Sequence, residues 1–459
     1  MLHKWGISKF QIITVLVAAA ICFAMAYSSK QSRNQSRDET YSSIASDRTD
    51  VVTGEETQTG DDGAWQAEET AKEAGSGSLQ TGIAASDSSV QTVEQSGQTA
   101  PVTEQNGVGT PVNVTSSYLF YYEMLTEDEK QIYGEIYESI TTRQEKKLST
   151  CDKELVDKLF EFVLWDHPEI FYTNGYNLLQ QLLGEQVISM TLQPIFQMTE
   201  AEVANKQAFI ASYVETFRTA LPQGLDTYGK IKFVYEYLIN GTEYQIGCEN
   251  SQNICSVFIL RKSVCAGYAK ATQYLLRELG IPATVVHGTA NGEGHAWNLV
   301  WVDGIPYYLD TTWGDASYSY TPPASDVSDA GDMTGDAAGS RVPPVNYDYF
   351  LITEHELLTT HSIDHPEYYP AVTDTRFNYF RHEGLYFENY DTEKLRGIFD
   401  RAYETGQQNV TIRCAGRDLL LAMQSSLLTE QKIFDYVKVM DRFYYNINES
   451  MCTMTFWLE

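Results

Sequence analysis

The sequence predicts a fold of the α+β class, because helical and strand periodicities both occur in the body of the chain. Ile132, Ile136 and Ile140 recur every fourth residue, which is the spacing of an amphipathic helix. Farther along, two short apolar runs flank Asp303-Gly304, a dipeptide typical of a tight β-hairpin turn. The first hundred residues show neither pattern, so we expect the folded part to begin after them.

Composition and charge argue against several classes of function. The chain has 459 residues and a formal net charge of −30. Nucleic-acid binding needs basic patches that displace counterions, so no nucleic-acid partner is expected. A broad footprint on anionic lipid is disfavoured for the same reason. The acidity favours solubility and does not specify a fold.

The cysteines do not predict a structural zinc site or a disulfide-built miniprotein. There are seven, and no two are spaced as Cys-x-x-Cys. Cys248 with Cys255, or Cys414 with Cys452, could form disulfides outside the cell. The sequence leaves both pairings open.

The N-terminus predicts contact with a membrane. Residues 1–9 contain two lysines and form a cytoplasmic flank. Residues 10–27 are the membrane anchor or signal peptide, and their apolar run of 16 residues is near the lower limit of about 17 for a span. A signal peptide would be cleaved after Ala24-Met25-Ala26. We favour an uncleaved anchor, and with either alternative the rest of the chain is exported.

Four further segments follow from composition and periodicity. Residues 28–115 are rich in Ser, Thr, Gly, Gln, Asp and Glu and predict a disordered acidic linker. Residues 116–222 predict a helical α+β module, and residues 376–459 predict a small C-terminal α+β domain. Between them lies the core, residues 223–375, with an acidic insertion at 315–345. The insertion lacks the spacing of a calcium loop and predicts a surface loop.

A strong helical pattern runs from Val264 to Leu279 and places Cys265 at its start. Gly280 and Pro282 follow, and both are typical of a helix end. The first N–H groups of a helix have no intrahelical partner, and the helix dipole there favours negative charge. The position therefore suits a thiolate on Cys265 and an oxyanion beside it.

The predicted hairpin brings a histidine and an aspartate together. With a two-residue turn at Asp303-Gly304, His295 lies opposite Thr312, and Asp310 is its diagonal neighbour on the same face. Diagonal neighbours are about 7–8 Å apart at the backbone, a gap that two side chains can close. A three-residue loop would instead place them on opposite faces. The hairpin thus predicts an imidazole–carboxylate pair.

Three segments together resemble the motifs of the transglutaminase-like superfamily. They are Ser263–Ala269 around Cys265, the run His295–Asn298, and the run Tyr308–Trp313 around Asp310. The resemblance extends to exported, membrane-anchored bacterial members. It implies a papain-like core with Cys265 as nucleophile, His295 as base and Asp310 as the acid that orients the base.

The resemblance also implies an acyl-transfer reaction on amide bonds of proteins or peptides, through a covalent thioester. The superfamily includes cross-linking enzymes, peptidases and amidases, and we favour hydrolysis over transamidation. The partner would be a protein or peptide substrate, including those of the cell envelope. The calcium dependence of the animal enzymes is not carried over, since no matching acidic pattern occurs. The alternative function is a catalytically silent binding or scaffold module at the cell surface.

The remaining candidate residues carry less specific patterns. Gln245, Trp297 and Asn298 are candidates for oxyanion support or substrate contact, and Trp297 shares the strand face of His295. Core packing would explain Trp297 equally well. We expect no cofactor and no metal. Among the other histidines, His287 is predicted to pack within a strand. His355, His361 and His365 are the histidines that could bind a metal, since the last two are four residues apart. Pro366 argues against a helix that would align the last two, so no metal site is predicted there.

Overall fold

The computed structural model describes residues 118–315, 343–438 and 444–458. The predicted cytoplasmic flank, membrane segment and linker, and most of the acidic insertion, lie outside these ranges. Within these ranges, no helix is both long and apolar enough to cross a bilayer.

Helices and strands alternate irregularly along the described ranges, which confirms the α+β class. The α-helices are α1 (Phe120–Glu123), α2 (Glu127–Thr142), α3 (Lys153–Asp166), α4 (Glu200–Ala220), α5 (Thr227–Gly241), α6 (Cys265–Glu278), α7 (Glu354–Leu357), α8 (Tyr379–His382), α9 (Thr392–Glu404) and α10 (Arg417–Gln424). The strands are β1 (Lys146–Leu148), β2 (Thr173–Leu183), β3 (Gln186–Phe196), β4 (Glu243–Tyr244), β5 (Lys262–Ser263), β6 (Ala283–Ala290), β7 (Glu293–Val302), β8 (Ile305–Leu309), β9 (Phe350–Ile352), β10 (His361–Ile363), β11 (Tyr386–Phe387), β12 (Asn409–Cys414), β13 (Tyr445–Asn448) and β14 (Thr453–Trp457).

The strands form separate sheets along the chain. An N-terminal sheet has the order β1-β3-β2, and a central sheet has the order β10-β6-β7-β8-β9. A C-terminal sheet has the order β11-β12-β14-β13, and β4 pairs with β5 alone. The central sheet and the helix α6 that contacts β6 and β7 position the residues discussed below.

Local sequence patterns account for the helix boundaries. At the start of α2, the Thr126 side chain accepts a hydrogen bond from the backbone of Glu129, whose carboxylate accepts one from the backbone of Thr126. This reciprocal cap satisfies N–H groups that the helix leaves without partners. The apolar residues Ile132, Ile136 and Ile140 face inward and are buried. Their burial follows directly from their spacing.

The hairpin of β7 and β8 has the predicted register. Val302 faces Ile305, and the turn residues Asp303 and Gly304 have φ values of 50° and 82°. Positive φ at both central positions is the type I′ geometry that matches the twist of antiparallel strands. Asn291-Gly292 joins β6 to β7 with φ values of 50° and 82°. Two tight turns therefore connect β6, β7 and β8, the three middle strands of the central sheet.

One continuous hydrophobic core joins the N-terminal helices to the central sheet. Tyr121 of α1 is buried in it, and its hydroxyl donates to the carbonyl of Val285 on β6 over 2.6 Å. A second cluster of buried side chains runs from Phe387 to Leu458 around the C-terminal sheet. The two cores meet at Asp348, whose carboxylate accepts hydrogen bonds from Asn448 and Thr453.

The edge strand β10 lies very close to β6 at Gly288. A Cβ atom on Gly288 would lie 1.9 Å from the carbonyl oxygen of Ser362 and 2.8 Å from the ring of Trp297. Cβ atoms in proteins essentially never lie this close to another atom, so any side chain at Gly288 would displace β10 or Trp297. The position of β10 thus depends on a residue without a side chain.

We expect Gly288→Ala to destabilise the fold by about 1–3 kcal/mol, because the added methyl group overpacks a backbone contact. The measurement is the midpoint of urea unfolding followed by tryptophan fluorescence. Gly134→Ala is the matched control, since a Cβ there meets nothing within 4 Å on the exposed face of α2. The control should be unchanged or more stable by about 0.5–1 kcal/mol. Equal midpoints for the two variants would contradict the close approach.

Candidate active site

Cys265 is the first residue of α6 and is buried, with 6% of its surface exposed. The residue before it, Val264, is extended and caps the helix without a side-chain hydrogen bond. The backbone N–H groups of Cys265 and Ala266 therefore have no intrahelical partner and no capping side chain, whereas that of Gly267 donates to the carbonyl of Val264 over 3.1 Å. The helix is held in place by Tyr268, whose hydroxyl donates to Asp315 over 2.6 Å.

His295 and Asp310 are in direct contact. Nε2 of His295 lies 2.8 Å from Oδ2 of Asp310, and both side chains are buried. The ladder between β7 and β8 ends at the pair Asn298 and Leu309, so the two residues lie just beyond it. Their approach follows from the hairpin register, which places them diagonally on one face.

Asp310 is fixed by the chain that follows it. Its Oδ1 accepts hydrogen bonds from the backbone N–H of Thr312 over 2.9 Å and of Trp313 over 3.1 Å. Its own N–H donates to the carbonyl of Tyr349 over 3.1 Å. The carboxylate therefore has a set orientation, with Oδ2 left to face the imidazole of His295.

The electrostatics of the pair favour a charged imidazole. Burial alone would lower the pKa of His295, but the negative charge of Asp310 and hydrogen bonds to Asp310 and Cys265 raise it to about 10. Burial would likewise raise the pKa of Asp310, yet His295, together with His361, holds it below its ordinary value. Because Nε2 of His295 faces Asp310, the other ring nitrogen, Nδ1, is left to serve the sulfur of Cys265.

A second histidine, His361, belongs to the site, although the sequence did not predict it. Nε2 of His361 lies 3.2 Å from the same Oδ2 of Asp310, and its Nδ1 lies 2.8 Å from the hydroxyl of Thr360. The donor atoms of His295, Asp310 and His361 all lie within 4.8 Å of one another, so this group could bind a metal ion.

Sequence spacing offered His365 as the neighbour of His361, although no metal site was predicted from it, and the structure places the two residues in different surroundings. His361 lies on β10, whereas His365 is exposed beside Glu367 and precedes a 3₁₀ turn at Pro366–Tyr368. Residue spacing could not find the true neighbours of His361, because β10 pairs with β6 across the acidic insertion. No local pattern specifies such a long-range pairing.

The candidate substrate residues lie in three different environments. Trp297 stacks near His295, with ring centroids 5.9 Å apart and an interplanar angle of 24°, and its indole Nε1 has no hydrogen-bond partner within the described structure. Asn298 faces the other way and donates to the carbonyls of Ala269 and Thr284 over 2.9 and 3.1 Å. Its amide links β7 to α6 and β6.

Gln245 forms hydrogen bonds with the residues that precede Cys265. Its side-chain oxygen accepts a hydrogen bond from Lys262 over 2.6 Å, and its backbone N–H donates to the carbonyl of Ser263 over 2.8 Å. It therefore supports the strand that leads into Cys265. Trp297 is therefore the candidate whose side chain lies beside the ring of His295.

The other residues singled out in the sequence lie apart from this group. His287 stacks on Trp165 with ring centroids 4.3 Å apart, in agreement with the prediction that it packs, and burial lowers its pKa to about 3. The cysteines of the described ranges are free thiols, so neither pairing left open by the sequence is a disulfide here. They are Cys151, Cys248, Cys255, Cys265, Cys414 and Cys452.

Comparison with known families agrees with this geometry. Residues 218–311 match the family model for the transglutaminase-like superfamily, a range that contains Cys265, His295 and Asp310. The chain contains a transglutaminase-like domain. A search of curated protein sequences finds no match.

Several solved structures resemble parts of the chain. A crystal structure of a TGase has 18% identity over 34% of this chain and 48% of its own, with a TM-score of 0.23. A candidate cysteine protease from Cytophaga hutchinsonii has 19% identity over 27% and 52%, with a TM-score of 0.21. The periplasmic domain of TgpA from Pseudomonas aeruginosa, bound to ethylmercury, has 18% identity over 28% and 57%, with a TM-score of 0.18. The matched parts span about half of each solved chain, and at such TM-scores they do not bear on function.

We expect Asp310→Asn to lower the pKa of His295 from about 10 to below the ordinary value of 6.5, because burial would no longer be opposed by a carboxylate. In the unaltered chain His295 should keep its proton until the pH approaches 10. The measurement is a pH titration by NMR with ¹³C-labelled histidine, with the resonance assigned through His295→Gln. Asp374→Asn is the control, because that carboxylate contacts Tyr307 and Arg376. An unchanged titration in Asp310→Asn would contradict the pairing.

Proposed function

We propose that this chain is a thiol-dependent acyl-transfer enzyme that acts on amide bonds of proteins or peptides through a thioester on Cys265. The observation that carries the proposal is the buried His295–Asp310 pair, together with Cys265 at the start of α6, which acts with Asp310 to raise the pKa of His295. A thiol, a base and an oriented carboxylate in this order are the components of nucleophilic catalysis. The transglutaminase-like match over residues 218–311 supports the same chemistry.

In the proposed mechanism, the thiol proton of Cys265 already resides on Nδ1 of His295 before substrate binds, so the resting pair is a thiolate and an imidazolium. The sulfur then attacks the amide carbonyl, and a C–S bond forms as the carbonyl oxygen becomes an oxyanion. The N–H groups of Cys265 and Ala266 at the start of α6 would donate to that oxyanion. Collapse breaks the C–N bond, and His295 gives its proton to the leaving amine. Asp310 stabilises the charged imidazole throughout and keeps the ring aligned.

The thioester has two fates, and we propose that hydrolysis predominates. Water, activated by His295, would attack the acyl carbon and release a carboxylic acid, and the resting pair of thiolate and imidazolium would be restored. Water is far more concentrated than any amine in aqueous solution, so it competes for the thioester unless the site excludes it. If a lysine amine arrived first, the product would be an amide cross-link instead. The two products differ in mass, so they can be told apart directly.

We further propose that the enzyme works outside the cytoplasmic membrane. The support is the sequence alone: a basic flank, an apolar segment at residues 10–27 and an acidic linker before the folded body. The linker would let the body reach substrates at a distance from the bilayer. Envelope proteins or peptides would then be the available amide substrates.

We expect Cys265→Ala to abolish turnover, by about 10⁴-fold or more, since no other group can form the thioester. The assay is mass spectrometry of a glutamine-containing peptide with and without a primary amine, which separates free acid from substituted amide. Cys248→Ala is the matched control, because Cys248 is also partly enclosed, and burial raises the pKa of its thiol. The control should keep full activity.

A thiol probe provides a test that needs no substrate. Near neutral pH, iodoacetamide should alkylate Cys265 faster than the other cysteines, because the imidazolium of His295 stabilises the thiolate. If Cys265 reacts no faster than Cys248, and no peptide is turned over, the enzyme proposal fails. The chain would then be a silent binding or scaffold module.

We expect the full-length chain to resist alkaline extraction from membranes, because an uncleaved segment 10–27 would remain inserted in the bilayer. Mass spectrometry of the mature N-terminus separates this result from cleavage after Ala26. In both cases protease added outside the cytoplasmic membrane should digest the folded body. A chain lacking residues 1–27 is the control and should remain inside the cell. Protection of the full-length chain from external protease would refute export.

A further inference from the structure

The histidine on β10 shares one carboxylate oxygen with the proposed base. Nε2 of His361 and Nε2 of His295 lie 3.2 Å and 2.8 Å from Oδ2 of Asp310. An ionised carboxylate can only accept hydrogen bonds, so Nε2 of His361 must carry the donated proton. Oδ2 of Asp310 therefore receives a second donor, from strand β10.

The second ring nitrogen of His361 has a partner that suits a neutral ring. Its Nδ1 lies 2.8 Å from the hydroxyl of Thr360, which can donate to it. Burial lowers the pKa of His361, and the positive charge of His295 acts in the same direction. A neutral ring with its proton on Nε2 satisfies both partners at once.

The ring of His361 is also held by its neighbours. It lies against Trp297, Trp313 and Tyr349, with ring centroids 5.0, 4.7 and 5.5 Å away. Only 5% of the residue is exposed. The close approach of β10 at Gly288 fixes the backbone that carries the ring. A donor held this firmly can set the orientation of the group that it contacts.

We propose that His361 is a positioning residue, which holds the Asp310 carboxylate ionised and aligned for His295. The inference rests on the proposed function. Each carboxylate oxygen has two donors: the N–H groups of Thr312 and Trp313 hold Oδ1, and the two histidines hold Oδ2. Without His361, Oδ2 would be held by the proposed base alone and could turn with it.

Other titratable groups lie near this carboxylate and contribute to the pH dependence of alkylation and turnover. Tyr235 on α5 is close enough for Asp310 to contribute to its pKa, which burial raises far above its ordinary value, so Tyr235 stays neutral. Asp315, Asp348 and Tyr349 also act on Tyr235, Cys265 acts on His295, and the ring of Tyr349 contacts that of His361. Of these groups, His295 and His361 hydrogen-bond Oδ2 of Asp310 directly, and His361 is the one that does not contact Cys265 in the proposed mechanism.

The experiment compares His361→Leu with His361→Gln in the full-length chain. Leucine fills a similar volume without a donor, whereas the glutamine Nε2 can replace the donated hydrogen bond. The readout is the rate of alkylation of Cys265 by iodoacetamide as a function of pH, with peptide turnover measured in parallel. Circular dichroism and urea midpoints show that each variant folds.

We expect His361→Leu to lower the alkylation rate and kcat/KM about 10- to 100-fold, the value of a hydrogen bond to a charged group. Removing a donor raises the pKa of Asp310, so the acid limb of the profile should move to higher pH. His361→Gln should restore most of the rate and return the acid limb. A purely structural role would not move the limb or be rescued by the donor.

Two results would overturn the inference. One is a profile of His361→Leu that coincides with the unaltered chain. The other is activity that is lost with a chelator and restored by zinc, because His361 would then be a metal ligand. Failure of the proposed function would give a different result from failure of this inference. Peptide turnover would be absent from the unaltered chain, while the alkylation profile of Cys265 would still differ between the unaltered chain and His361→Leu.

Discussion

The structure of the site depends on one buried carboxylate and the donors that surround it. Asp310 is 1% exposed, and a charge so far from water needs hydrogen bonds and an opposite charge. The turn after β8 supplies the backbone donors of Thr312 and Trp313, β7 supplies His295, and β10 supplies His361. The order of the central sheet places β7 and β10 on either side of β6. The sheet topology therefore brings the compensating groups to a single carboxylate.

The support of Asp310 continues into the C-terminal sheet. Its N–H is bonded to Tyr349, and the preceding residue, Asp348, accepts hydrogen bonds from Asn448 over 2.8 Å and from Thr453 over 3.2 Å. The strand that follows the acidic insertion is thus fixed from both sides. This gives the C-terminal sheet a structural role, which composition and periodicity could not assign.

The parts of the site that the sequence predicted are those fixed by neighbouring residues. A two-residue turn with positive φ sets the hairpin register, and the register places His295 diagonal to Asp310. Strand alternation also predicted that Trp297 would share the face of His295. The partners of Asn298 could not be predicted in this way, because its carbonyl acceptors belong to a helix and another strand. Likewise, His361 meets Asp310 through the pairing of β10 with β6, which depends on the fold of the whole core.

One carboxylate beside two imidazoles can neutralise only one positive charge in a dry site, so the two histidines must differ. The distances favour His295 as the charged member, since its nitrogen is closer to Oδ2 and its ring also reaches the sulfur of Cys265. His361 has the hydroxyl of Thr360 at its other nitrogen, a partner that a neutral ring can accept from. Burial, together with the positive charge of His295, also lowers the pKa of His361, so His295 is the ring that we take as charged. A neutral His361 adds a donor to Asp310 without competing for its charge, so the carboxylate remains available to stabilise His295 as an imidazolium.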